Sequence, residues 1–127
     1  MSKPNLNRNW GIGTDIERID RFRNQHRIDS KSFLNKIFTP GELDYCFSRE
    51  SAAPHLAARF SGKEAVIKAI TSLKSLKVFY TDIEISNNEL GVPIVKLKSD
   101  KVSNLAVKLS LSHSEDTVVA FAIVMEV

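Results

Sequence analysis

Apolar residues recur along this chain first at helical and later at alternating intervals, and the change of period separates a helical first part from a strand-rich second part. Trp10-Gly-Ile-Gly13 predicts a short strand. Thr14-Asp-Ile-Glu17 then has the Thr/Glu spacing of a capping box, which predicts a helix continuing through Ile16, Ile19 and Phe22, with Asp15 at a strand-to-helix junction. Arg18, Arg21 and Arg23 fall on the more solvated side of that helix. Ser32 to Phe38 predicts a second helix, and Thr39-Pro-Gly-Glu42 opens a third with a capping box and proline at the first helical position. A long helix is expected from about Pro54 to Leu73, with Leu56, Phe60, Ile67 and Ile70 on one side.

The period then becomes two. Asp82-Ile-Glu-Ile-Ser86 and Pro93-Ile-Val-Lys-Leu97 flank the turn residues Asn87-Asn-Glu-Leu-Gly91, which predicts a hairpin. Val107, Leu109 and Leu111 alternate with Lys108, Ser110 and Ser112, and the polar turn His113-Ser-Glu-Asp116 leads to a last apolar strand, predicting a second hairpin. Helices followed by antiparallel hairpins give an α+β class, an antiparallel sheet with the long helix packed on one face.

At 127 residues, 43% hydrophobic and 26% charged, the chain suits one soluble domain and excludes disorder. Residues 1–9 read as a flexible N-terminal arm and 10–127 as the domain. The apolar run Val118 to Met125 is far shorter than the roughly 20 residues of a membrane span. The first residues lack a secretory signal pattern, so a cytoplasmic location is expected. The single cysteine, Cys46, excludes an internal disulfide and sits at core spacing. A net charge of +3 favours acidic partners without choosing among them. A small nucleic-acid-binding protein would suit the basic charge, but the chain has no recognisable recognition helix or interleaved aromatic motif.

Several residues could carry chemistry. Asp15 and Glu64, on different elements, could hold a hard cation such as Mg²⁺; equally, Asp15 could complement a helix dipole and Glu64 pair with Lys68. Arg59, Lys63 and Lys68 could present cations to ligand phosphates from one helix, or Lys63 could merely snorkel out of the core. His113 stands where a strand meets a tight turn, a position suited to a cleft or to plain solvation. Ser112, His113, Ser114 and Asp116 do not make a hydrolase triad, which needs an oriented base and an oxyanion hole.

In order, the segments Gly11-Ile-Gly-Thr-Asp-Ile-Glu-Arg-Ile-Asp-Arg21, Ile37-Phe-Thr-Pro-Gly-Glu-Leu-Asp-Tyr-Cys46, Leu56-Ala-Ala-Arg-Phe-Ser-Gly-Lys-Glu-Ala-Val-Ile-Lys-Ala69, Asp82-Ile-Glu-Ile85 and Leu111-Ser-His-Ser114 resemble the holo-acyl-carrier-protein synthases. The resemblance implies a 4′-phosphopantetheinyl transferase-like fold and transfer of the 4′-phosphopantetheine group of coenzyme A to a serine of apo acyl carrier protein. It implies Asp15 and Glu64 as Mg²⁺ ligands and Lys68 facing the phosphates. It places Arg59, His113 and Ser114 at the adenosine 3′-phosphate end, with Lys63 in the same motif. It further implies that Arg18, Arg21, Phe22 and Arg27 on the first helix dock the acidic carrier, and that active sites form between the subunits of a homotrimer. The chain departs from the family where Thr71-Ser-Leu-Lys74 replaces the usual Gly-Thr-Gly, and where Gly62 interrupts the long helix at an expected cost of roughly 1 kcal/mol. A non-catalytic relative that binds coenzyme A or the carrier is the alternative these departures raise.

Overall fold

The computed structural model describes residues 9–127. The arm expected over residues 1–9 lies, but for Asn9, outside the described residues. Among the described residues the first strand is β1 (Trp10–Arg18), which passes into one turn of 3₁₀ helix (Ile19–Phe22). Helices α1 (Lys31–Ile37), α2 (Pro40–Ser48) and α3 (Ala52–Leu73) follow. A single 3₁₀ turn (Tyr80–Asp82) leads into β2 (Ile83–Asn87) and β3 (Pro93–Leu97), and then β4 (Leu105–His113) and β5 (Thr117–Glu126) complete the fold. β1, β5 and β4 form an antiparallel sheet in that order, and β2 and β3 form a separate antiparallel pair. The class is α+β, and α3 covers the inner face of the three-stranded sheet.

One expectation is corrected. No helix begins at Thr14: β1 runs unbroken through Asp15 to Arg18, and the only helical turn there is the 3₁₀ turn. The Thr14 hydroxyl donates to the carbonyl of Ala120 on β5 at 2.9 Å, so it is used by the sheet rather than as a cap. Gly11, Gly13, Asp15 and Glu17 face inward, while Ile12, Thr14, Ile16 and Arg18 face outward, the period-two pattern of a strand. Ile16 and Thr14 lie opposite Val119 and Phe121 of β5, and cross-strand pairing of β-branched residues outweighs the local cap. Ile19 and Phe22 still share a buried side, since a 3₁₀ turn repeats every three residues.

Elsewhere the local signals are used as read. Thr39 accepts from the backbone of Glu42 and the Glu42 carboxylate accepts from the backbone of Thr39, closing the capping box of α2. Around Phe22, Leu34, Phe38, Leu56 and Phe60 lies one apolar cluster; Val66, Ile70, Ile83, Ile85, Val102 and Val124 build a second between α3 and the strands. Cys46 is a core residue of the first cluster.

Between the clusters the helix approaches the sheet closely. A Cβ on Gly11 would stand 2.0 Å from the Ala69 carbonyl oxygen, and one on Gly13 would stand 2.0 Å from that of Ala65. Only glycine fits this contact, which seats the following inward residues of β1 directly beside α3. Gly62 has a comparable reason to be in the helix: a Cβ there would meet Ile85 Cδ1 at 2.8 Å and Leu109 Cδ2 at 3.0 Å. Its propensity cost is therefore set against a packing contact that alanine would crowd. No helix among the described residues is long and apolar enough to cross a membrane.

Candidate active site

Two residues beyond Gly13, Asp15 is carried along the inner face of β1 to the flank of α3, where its side chain is 11% exposed. Lys68, on α3, donates to the carbonyl of Thr14 at 3.1 Å and places its ammonium 3.5 Å from Asp15 Oδ1. Ser61 donates to the backbone carbonyl of Asp15 at 3.3 Å. Asp15 Oδ2 is buried and has no hydrogen-bond partner among the described residues, a state that costs free energy unless a ligand supplies one. Glu64, four residues before Lys68, does not pair with it. Its carboxylate instead accepts a hydrogen bond from the Tyr80 hydroxyl.

The charges converge on that hydroxyl. The hydrogen bond to Glu64, then burial, push the Tyr80 phenol up to about 12; the Glu64 and Asp15 charges add to the rise and Arg21 opposes it. Glu17, the next inward residue of β1, is raised above the usual carboxylate range by burial and then by the Asp15 charge, against the pull of Arg21, which donates to it at 3.2 Å. Asp15, Glu17 and Glu64 thus share one acidic corner, offset by Lys68 and Arg21. Glu17 and Tyr80 were missed in the sequence. Glu17 faces the site only because β1 is a strand, and no pattern marks Tyr80.

Among the described residues no three His, Cys, Asp or Glu side chains are arranged to hold a metal ion. The carboxylates of Asp15 and Glu64, with the unpartnered Oδ2, are nevertheless the hard oxygen donors Mg²⁺ takes, and that ion completes its shell with water and phosphate oxygens. The donor chemistry fits.

Arg59, Lys63 and Lys68 do not form one array. Lys63 is corrected outright: its ammonium is fully buried, 2.6 Å from Glu42 Oε1, and donates to the carbonyls of Ile37 at 2.8 Å and Tyr80 at 2.9 Å. It neither faces a ligand nor snorkels, because the buried face of α3 meets an anion supplied by α2. Burial lowers its pKa, opposed by the Glu42 charge and hydrogen bond.

Arg59 turns to another side. Its guanidinium stacks 4.2 Å over the Tyr45 ring and donates to Asn87 Oδ1 at 3.3 Å, while Nε is buried without a partner among the described residues. Arg59 and His113 line one cavity of about 500 Å³ together with His55, Asn87 and Ser112. Within a single chain, therefore, the histidine turn already approaches its own long helix. That cavity includes none of Asp15, Glu64 or Lys68, and the cavity beside Glu64, lined by Lys36, Ile67, Lys77 and Phe79, includes neither Arg59 nor His113. Ser114 lies outside the lining of the Arg59 cavity; its amide donates to the Thr117 carbonyl at 2.9 Å. Burial, then the charges of Arg49 and Arg59, hold His55 below the ordinary histidine range.

The docking residues divide as well. Arg18 and Arg21 are exposed beside the end of β1, and Arg27 is exposed in the following loop, paired with Asp44. Phe22 is 1% exposed and packs on Phe38 and Phe60, so it is a core residue and no apolar anchor for a partner. The expectation of a docking helix fails for the reason given above: the segment is a strand and a single turn.

At Thr71-Ser-Leu73, α3 simply continues. Ser72 Oγ accepts from the backbone amide of Ile12 at 3.1 Å and donates to the Ala69 carbonyl at 2.9 Å, so the departure joins the end of the helix to β1.

A family model described as the 4′-phosphopantetheinyl transferase superfamily matches residues 11–122. The holo-[acyl-carrier-protein] synthase of Thermodesulfovibrio yellowstonii is 41% identical over 114 residues, covering 90% of this chain and 96% of that relative. That of Chlamydia muridarum is 45% identical over 119 residues, covering 90% and 93%. Among solved structures, a holo-(acyl-carrier-protein) synthase from Bacillus anthracis in complex with CoA (3′,5′-ADP) superposes with a TM-score of 0.74 at 28% identity, covering 92% of this chain and 96% of that one. The acyl carrier protein synthase of Mycobacterium tuberculosis gives a TM-score of 0.69 at 34% identity, covering 92% and 97%.

Proposed function

Because this chain belongs to the 4′-phosphopantetheinyl transferase superfamily, we propose that it transfers the 4′-phosphopantetheine group of coenzyme A to a serine of apo acyl carrier protein, giving holo acyl carrier protein and adenosine 3′,5′-bisphosphate. The observation that carries this reading is the acidic corner itself: Asp15 and Glu64 on facing elements, Lys68 against Asp15, and one carboxylate oxygen left without a partner.

Asp15 and Glu64 would hold Mg²⁺, which when bound withdraws charge from the pyrophosphate and the leaving bisphosphate. Lys68, exposed at its tip and anchored on Thr14, offers a cation to phosphate oxygens at the same place. Glu64, or a water held beside it, takes the proton from the carrier serine as the new phosphodiester forms. Arg59 and His113 would hold the 3′-phosphate end, a reading supported by the cavity they line together and by the Arg59 Nε, which has no partner among the described residues. Arg18, Arg21 and Arg27 offer exposed positive charge to an acidic carrier.

The homotrimer that the family resemblance implies is part of the same proposal. The carboxylate corner and the Arg59–His113 cavity do not share a pocket within one chain, and a second copy that adds residues between them would join the two into one coenzyme A site. The outer face of the sheet exposes Trp10, Ile12, Ile16, Val119, Phe121 and Met125, an apolar patch of the kind that neighbouring subunits cover.

Intact-mass spectrometry of apo acyl carrier protein incubated with this protein, coenzyme A and Mg²⁺ tests the reading. A phosphopantetheine-sized gain, absent with Asp15→Ala/Glu64→Ala, is expected. Coenzyme A binding without any gain on several carriers would instead identify a binding-only relative.

A further inference from the structure

We propose that Tyr80 is a positioning residue for Glu64, its hydroxyl fixing the carboxylate in the orientation from which it holds the metal; the inference rests on the transferase reading above. A glutamate has several rotatable bonds, and a free carboxylate loses that freedom when it binds an ion. Tyr80 removes part of the cost in advance. Its ring packs against Phe60 with centroids 5.6 Å apart, and its hydroxyl donates to Glu64 Oε1, leaving Oε2 for a ligand.

The backbone of Tyr80 is held equally firmly. Lys63 donates to the Tyr80 carbonyl at 2.9 Å, and the same ammonium is tied to the Ile37 carbonyl and to Glu42. Glu42 in turn accepts from the amides of Thr39 at 2.9 Å and Ile85 at 2.7 Å, so α1, α2, α3 and β2 all meet at this node. Lys63 and Glu64 are consecutive residues of α3. One turns into the core and the other out of it, yet both end on Tyr80, at its carbonyl and at its hydroxyl. A lysine whose place in the helix suggests a phosphate ligand is thus an internal strut, and the tyrosine it braces reaches the acidic corner. Among the described residues the hydroxyl is also the only hydrogen-bond donor to Glu64, in a corner where Asp15 adds like charge.

Tyr80→Phe keeps the ring and deletes the donor. Calorimetric titration with Mn²⁺ in the presence of adenosine 3′,5′-bisphosphate is expected to show about tenfold weaker metal binding than the parent, about 1.4 kcal/mol. The Mg²⁺ concentration giving half-maximal transfer should rise in parallel. Affinity for adenosine 3′,5′-bisphosphate without metal, and the melting temperature, should stay within twofold and within a few degrees respectively. A role in folding alone would lower the melting temperature and leave metal affinity in place. Metal affinity within twofold of the parent for Tyr80→Phe, while Asp15→Asn and Glu64→Gln abolish binding, overturns the positioning role and leaves the metal site intact. If Glu64→Gln binds Mn²⁺ as the parent does, the metal site itself is wrong, and the inference falls with it.

Discussion

Gly13 offers the sharpest test of how the site is built. Adding one methyl group puts a Cβ 2.0 Å from the Ala65 carbonyl oxygen, 2.6 Å from the Ala69 amide nitrogen and 2.9 Å from Lys68 Cβ. The first two are helix backbone, which cannot yield without breaking the hydrogen bonds of α3. β1 must therefore lift by about 1.4 Å, the difference between 2.0 Å and an ordinary 3.4 Å contact. A gap of about 1 Å already forfeits a quarter to a half of each lost contact, and overpacking of this kind costs about 1–3 kcal/mol or more. The lower unfolded-state entropy of alanine returns less than about 1 kcal/mol. We expect Gly13→Ala to lose about 3 kcal/mol in urea unfolding followed by circular dichroism at fixed protein concentration. Asp15, two residues further on, moves with the strand, and a displacement of about 1 Å can cost on the order of 100-fold in rate. Transfer to apo carrier, followed by intact mass well below the melting temperature, should fall by about that factor. Gly41→Ala is the control, since its Cβ would meet only Glu84 Oε2, at 3.3 Å. A loss under about 1 kcal/mol with transfer within twofold of the parent would refute the argument that this contact sets the position of Asp15.

Lys63→Met strands the Glu42 carboxylate in the core and should cost about 3–5 kcal/mol in urea unfolding, with partial recovery in Lys63→Met/Glu42→Gln; a cost under about 1 kcal/mol would show that Glu42 finds other partners. Burial pushes the Cys46 thiol up to about 12, so it should not react with a thiol reagent at pH 8 until the chain unfolds, and prompt reaction of the native protein would contradict its burial. His55 is held below its ordinary 6.5, so the unfolded chain takes up a proton that the folded one refuses; its contribution to stability is full above 6.5 and falls as pH drops toward the depressed folded value. Urea midpoints measured from pH 7.5 to 5 should therefore fall more steeply for the parent than for His55→Gln, and parallel slopes would refute the assignment. Carrier binding through Arg18, Arg21 and Arg27 should weaken as salt rises, and affinity unchanged across a salt titration would count against docking there.

The long helix, both hairpins and the Thr39 capping box were legible because each is specified by its own residues and needs no distant partner. Cys46 was legible for a related reason: its helical spacing from Leu43 puts both on one buried side. The extent of β1 was not. Thr14 and Glu17 satisfy the local rule for a cap, and only pairing with β5, about a hundred residues later, decides for a strand. That single decision moved several site assignments. It brought Glu17 to the inner face beside Asp15, removed the supposed docking helix and left Phe22 in the core. Lys63 was misread because its place in the helical repeat reveals that it is buried, but not that Glu42 waits for it from another helix. Gly62 was priced by helix propensity alone, and its real neighbours, Ile85 and Leu109, belong to strands that the sequence does not place against it.

Ser72 and Lys68 also decide how the sheet can meet other molecules. β1 is an outermost strand, and the outer row of amides and carbonyls on such a strand is ordinarily open to another extended chain. Here the helix occupies two places in it: Ser72 takes the amide of Ile12 and Lys68 takes the carbonyl of Thr14. An incoming segment would have to displace both before it could lengthen the sheet along this side. Contact through the β1 side of the molecule is thereby steered away from backbone pairing and onto the flat apolar face of Ile12, Ile16 and Phe121, where side chains, rather than a generic ladder, choose the neighbour.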